Sequence, residues 1–318
     1  MSYQFELDRS NRSMRFPVIM MAVIFSMVVA AYVIAACNER SPDQARANEP
    51  VSKSTGNVPV TNVSTTPTEK AALVISGPVS FEIADSAYRE RRYDDATTLF
   101  KAYTESRPNN GWGFYMLGLS AWKSGDRVQA ESAFAHSLAL DSTHVKSHLN
   151  LSRVLLEDGK PDSALAHIEQ AIALDSTSSA PLRLQGRVFE AQGKTDDAIV
   201  AYQRAIVKND SDTWAMNNLG ALYIRLDRYE DAIGPLARVT EIDDKVATFH
   251  NNLGMALELT GRFEQAAEQY RAAVAIEGTY GKAVSNLQRV EQVKQDPSIA
   301  PVDLTERSKQ FQNEILKW

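Results

Sequence analysis

The sequence predicts an all-α protein built from stacked helix pairs and preceded by a membrane segment and a linker. Three columns of residues predict the stack. Alanine recurs at 96, 130, 164, 198, 232 and 266, each 34 residues after the last. Four residues beyond each alanine stands a large apolar side chain: Phe100, Phe134, Ile168, Tyr202, Leu236 and Tyr270. Twelve residues before each alanine stands a small one: Ala84, Gly118, Ser152, Gly186, Gly220 and Gly254. A period of this length is the mark of a repeat array, in which one supersecondary unit buries its apolar face against the next.

Taken from the amino terminus, residues 1–37 form a polar tail and a membrane or export segment. Arg9, Arg12 and Arg15 precede the run from Pro17 to Ala36, which contains no charged residue. At about 1.5 Å per helical residue that run spans roughly 30 Å, the hydrocarbon thickness of a bilayer. It has no polar face, so it does not suit the flank of a soluble domain. It ends Ile34-Ala35-Ala36-Cys37, which resembles a bacterial lipobox: a branched residue, two small residues, then the thiol that takes the lipid. Length favours an uncleaved transmembrane helix and the tetrapeptide favours lipidation at Cys37; both remain open. Either places the remainder outside the cytoplasm, in the periplasm or at the cell surface.

Residues 38–76 read as a disordered tether. Between 38 and 70 the segment holds Pro, Ser, Thr, Asn and charge, no aromatic residue, and only Ala and Val as apolar side chains. Such a composition does not bury enough surface to offset its ordering entropy. A flexible chain of that length has a root-mean-square reach of about 35 Å.

The array proper spans 77–296, as units 77–110, 111–144, 145–178, 179–212, 213–246 and 247–280 with a cap at 281–296. Small residues in the first helix and alanine in the second let two backbones approach, and the large residues fill the groove between them. Between the helices a turn residue recurs at Gly125, Gly159, Gly193 and Gly261, where the left-handed conformation that ends a helix is needed. Asp227 tolerates that conformation; Arg91 is a departure. Proline, which would stop the second helix sharply, stands only at Pro108. The other units carry Ser142, Ser176, Asp210, Asp244 and Gly278, which predicts softer termination. In the cap, Gln288 and Glu291 replace apolar residues and solvate the end of the stack. Residues 297–318 form a linker and a short helix, opened by Asp303 with Glu306 as a capping pair and carrying Leu304, Phe311 and Ile315.

These six units in phase resemble the tetratricopeptide repeat family. The resemblance covers about two thirds of the chain and implies a right-handed α-solenoid whose concave face is lined by the first helix of each unit. With its amino-terminal segment the chain is similar to membrane-anchored bacterial repeat proteins, including lipoproteins of this class. The expected function is a membrane-tethered scaffold or adaptor for protein–protein interaction in cell-envelope assembly, binding an extended or acidic peptide. The alternative is a regulatory or positioning subunit of an envelope enzyme such as a cell-wall hydrolase.

Mapping the groove residue by residue gives aromatic groups first (Phe81, Tyr88, Trp112, Tyr115 and Trp122). Basic groups follow (Lys146, Arg153, Arg183 and Arg187), then amides (Asn217, Asn218, Asn251 and Asn252). Each has an ordinary alternative in packing, solvation or structural hydrogen bonding. The basic groups suggest steering of an acidic segment, and the amides a clamp for an extended backbone.

Other chemistry is not expected. With 34 Lys+Arg against 40 Asp+Glu the chain is mildly acidic, a poor partner for nucleic acid. A single cysteine excludes an internal disulfide or a Cys-based zinc cluster. No phosphate-cradling loop, metalloprotease motif or nucleophile elbow occurs. The five histidines read as packing residues. No enzyme activity, cofactor or metal is predicted; the partners are a protein or peptide and, through the amino-terminal segment or its lipid, a membrane.

Overall fold

The computed structural model describes residues 77–317. The membrane segment, Cys37 and the tether lie outside the described residues. Within them the fold is all-α, the class of the tetratricopeptide α-solenoid, with fourteen helices and no strand. No helix among them is long and apolar enough to cross a membrane.

Helix pairs follow one another along the chain. They are α1 (Phe81–Arg89) with α2 (Tyr93–Ser106), α3 (Gly111–Ser124) with α4 (Arg127–Leu140), and α5 (Val145–Glu157) with α6 (Pro161–Leu174). Next come α7 (Ala180–Ala191) with α8 (Thr195–Lys208), α9 (Thr213–Arg225) with α10 (Tyr229–Ile242), and α11 (Ala247–Leu259) with α12 (Phe263–Ile276). A single helix α13 (Gly281–Val290) closes the series, and α14 (Leu304–Ile315) ends the chain. The chain divides into two compact units with the boundary inside α9: among the described residues one holds 77–216 with 314–317, and the other Asn217–Asn313.

The three residue columns make the core in both units. All six alanines and all six large side chains are fully buried. The small column is small because the large one points at it. A Cβ on Gly118 would sit 2.6 Å from the Phe134 ring, on Gly186 2.5 Å from Tyr202, on Gly220 2.4 Å from Leu236, and on Gly254 2.7 Å from Tyr270. No side chain fits at those distances. Ser152 holds the same column by a different device: its hydroxyl donates to the carbonyls of His148 and Ala164, tying α5 to α6.

The turns inside the pairs share one backbone state. Gly125, Gly159, Gly193 and Gly261 have φ between 70° and 92°. Arg91 and Asp227 take the same left-handed turn, at φ 61° and 57°. Tertiary packing therefore imposes on Arg91 a conformation its side chain opposes.

The turns between pairs depart from the expectation of soft termination. Proline is replaced by a side-chain lock one residue earlier. Asp141 Oδ1 accepts from the Thr143 backbone N–H at 2.9 Å and from its hydroxyl at 2.7 Å. Asp175 does the same with Thr177, at 3.0 and 2.6 Å. Asn209 accepts from the Ser211 N–H and Asp243 from the Lys245 N–H, each at 3.1 Å. These Asx turns end α4, α6, α8 and α10 with an extended residue at the C-cap. Hydrogen bonds from Thr143 and Thr177 hold the Asp141 and Asp175 carboxyls below the usual carboxylate range.

After α13 the chain turns back onto the second helices of its unit. The Gln265 amide brackets Val302, donating to its carbonyl and accepting its N–H, both at 2.8 Å. Asp303 caps α14 by accepting the Glu306 N–H at 3.0 Å. Ser308 donates to Glu241, Arg307 to the Glu230 carbonyl, and Phe311 lies over Gly234 of α10, where a Cβ would approach its own Cβ to 3.0 Å.

Candidate interaction surface

In the unit that holds 77–216, the first helices present an aromatic and aliphatic face. Asn110 opens α3 by accepting the Gly113 N–H at 2.8 Å, and its amide also donates to the Tyr103 hydroxyl at 3.0 Å. That cap sets the direction of the helix and so the place of its rings. Trp112 is 48% exposed. Its ring lies 5.0 Å from Tyr115 and 5.9 Å from His144, and His144 meets Tyr115 edge-on at 4.8 Å. The three rings form a shelf with Trp112 as its open edge. His144 is fixed by a 2.7 Å bond between its Nδ1 and Ser147, and burial lowers its pKa, which favours the neutral ring.

Farther along α3, Trp122 is half-buried beneath Lys123, whose ammonium stands 4.8 Å from the ring, and its indole N–H donates to Glu157 at 3.0 Å. Leu119, Leu149 and Leu156 are partly buried on the same core, and Lys146 is exposed at the start of α5. Tyr115 itself is buried. Its hydroxyl accepts from Asn150, whose carbonyl accepts from buried Arg153, and burial pushes the Tyr115 pKa up.

The predicted basic stretch is largely internal. Arg183 is 8% exposed and sits 3.2 Å from Asp212. Asp212 also accepts from Ser179 at 2.6 Å and from the Ala215 N–H at 3.0 Å, so one carboxylate caps α9 and anchors α7. Arg183 is therefore held inside the fold by this carboxylate. The sequence reading missed Asp212 because it lies at the last position of its repeat, outside the first-helix positions searched. Arg187 is half-buried.

In the unit from Asn217 to Asn313 the amides bond to one another. Asn252 donates to Asn217 at 2.9 Å, Asn286 to Asn251 at 3.0 Å, and Asn251 to Asn252 at 3.4 Å. Asn217, Asn251 and Asn252 are buried, Asn251 completely, while Asn218 is half-buried. Side chains buried in this way hold neighbouring first helices together. Beside them Glu258 accepts from Tyr270 at 2.7 Å and takes both arms of Arg289 at 2.8 Å, tying α11 to α13. Cys37 lies outside the described residues. No three His, Cys, Asp or Glu side chains converge as a metal would need among those described.

Two family models match, both describing this geometry: a tetratricopeptide repeat-like domain over residues 115–228 and a tetratricopeptide repeat over 247–280. The chain belongs to the tetratricopeptide repeat family. No curated protein matches it in sequence. Among solved structures it is similar to a tetratricopeptide repeat protein from Parabacteroides merdae ATCC 43184, at 11% identity and TM-score 0.57, over 66% of this chain and 82% of that one. A thermophilic tetratricopeptide repeat protein from Thermus thermophilus aligns at 16% identity and TM-score 0.51, over 58% of this chain and 100% of that one. The APC/C hetero-tetramer Cut9–Hcn1 contributes a match at 20% identity and TM-score 0.56, over 65% of this chain; the match spans only 41% of the other chain. At these identities the likeness is one of fold. Tetratricopeptide arrays are scaffolds for protein–protein interaction, and the fold is generally non-catalytic.

Proposed function

We propose that this tetratricopeptide protein is a membrane-tethered adaptor that holds an extended segment of a partner polypeptide against the aromatic face of α3 and α5. It would act outside the cytoplasm, in assembly of a bacterial cell envelope. Trp112 carries the binding reading. A large ring supported by Tyr115 and His144, yet half open to solvent, is the residue type and setting in which interface energy concentrates. Half-buried Trp122, Leu119, Leu149 and Leu156 extend an apolar track beside it, and Lys146 adds a cation at one end.

The tether and location are read from the charge-free run Pro17–Ala36 and from Cys37. Acidic-segment steering by Arg183 is not part of the proposal, because Asp212 already neutralises that charge.

Affinity capture with the full-length chain tests the reading. A partner retained by the wild-type chain and lost with Trp112→Ala and Trp122→Ala, at an unchanged melting temperature, supports it. Equal recovery by both proteins overturns it. The Cys37→Ser variant separates the anchors, since lipid labelling and processing disappear for a lipoprotein and stay the same for a transmembrane helix.

A further inference from the structure

In three repeats the fourth residue meets a side chain of the second helix of its own repeat. Phe114 stacks on His136 at 4.0 Å. His148 Nδ1 meets His167 Nδ1 at 3.1 Å while its Nε2–H donates to the Ser142 carbonyl at 3.0 Å. His250 meets Gln269 at 2.9 Å and donates to the Asp244 carbonyl at 3.1 Å. The repeat at 179–212 carries different residues at these positions. Its fourth residue is Leu182, Ala201 stands where His167 and Gln269 stand in two of those repeats, and Arg204 stands where His136 does in the third.

In the same repeat a cavity of about 530 Å³ is lined by Leu182 of α7 and by Arg204, Val207 and Lys208 of α8. Leu182 is buried and forms an apolar floor, and Val207 is a wall 42% exposed. Arg204 and Lys208 are four residues apart and exposed on one face of α8, and neither is ion-paired to an acidic side chain among the described residues. Two cations beside an apolar floor, on a chain of net charge −6, form a locally complementary site for negative charge.

We infer that this cavity is a second docking site, separate from the aromatic shelf, which takes an acidic partner segment that sets an apolar side chain beside a carboxylate. The apolar group enters over Leu182 and Val207, and the carboxylate lies between Arg204 and Lys208. Arginine offers the carboxylate a planar pair of donors, and lysine adds a point charge.

Fluorescence anisotropy tests this with the full-length chain in non-ionic detergent. The probe is a labelled peptide of alternating glutamate and leucine, compared with a glutamine-and-leucine counterpart. The acidic peptide binds at least tenfold more tightly, and Arg204→Glu with Lys208→Glu weakens it at least tenfold. Arg204→Gln with Lys208→Gln gives an intermediate loss and guards against misfolding of the reversed variant. Trp112→Ala leaves this binding unchanged, so failure here is distinct from failure of the aromatic-face proposal. Equal affinity for the two peptides, insensitivity to charge reversal, absence of binding, or loss on Trp112→Ala each overturns the assignment.

Discussion

Tyr115 on α3 and Asn251 on α11 occupy the same position of their repeats, as do Arg183 and Asn217 between them, yet their surroundings differ. On α3 the neighbouring Trp112 stands half in solvent, supported by Tyr115 and His144. On α11 the amides are buried and bonded to those of flanking helices. Arg183 is closed off by a carboxylate from the end of its own repeat. The position that a repeat family offers to partners is thus also available for joining one repeat to the next. Tyr115 too has a polar partner, Asn150 of the next first helix, so what stays open on α3 is the Trp112 ring three residues earlier.

The sharpest break of this comparison is Asp212→Ala. It leaves the Arg183 charge buried without its carboxylate and uncaps α9, at a cost of about 3–5 kcal/mol. Calorimetry reads this as a large fall in melting temperature, and a fall of only a few tenths of a kcal/mol would return Arg183 to the list of groove residues. Next is Asn252→Ala, which orphans the Asn217 carbonyl and costs about 1–3 kcal/mol. An unchanged denaturation midpoint would mean that these amides are free to meet a peptide.

Gln185→Leu works in the opposite direction. Gln185 Oε1 is buried without a hydrogen-bond partner, in a column that is otherwise Ile83, Leu117, Leu151, Leu219 and Leu253. Its replacement should stabilise the protein by about 1 kcal/mol, seen as a higher midpoint at an unchanged m-value. Arg91→Gly relieves a left-handed arginine and gains about 1 kcal/mol. Smallest is Trp112→Ala, within about 0.5 kcal/mol of wild type in thermal melts, because this residue belongs to a surface.

Acid provides a further test of the inter-repeat turns. Asp141 and Asp175 have lowered pKa values in the fold, so the unfolded chain binds protons first as pH falls. Their contribution is complete above the ordinary aspartate value near 3.8 and is lost as pH drops through the lower folded values. Asp141→Asn with Asp175→Asn should flatten the acid limb of the stability curve, measured by chemical denaturation at pH 2–5.

The repeat register was legible because three columns of side-chain size recur without slippage, and size is what close-packed helices select. The turns were legible through glycine, down to the two positions where Arg91 and Asp227 take glycine's backbone state. The turns between repeats were misjudged for a physical reason. Proline was sought at one column while aspartate and asparagine stood at 141, 175, 209 and 243, the same 34 residues apart. Of the predicted face, the exposure of Trp112 follows from its place on α3 alone. The fate of Arg183 and of the asparagines does not, since it depends on partners 29 to 35 residues away whose orientation a single-helix pattern does not encode.

Each Asx lock is closed by groups only two residues apart, so the stop signal of a second helix travels with its own short peptide and needs nothing from the following module. A duplication or deletion of 34 residues with its joints just beyond Thr143 and Thr177 would carry the punctuation along intact. Growth or shortening of the array by whole modules, in evolution or in engineering, therefore needs new matching only where one helix face meets the next.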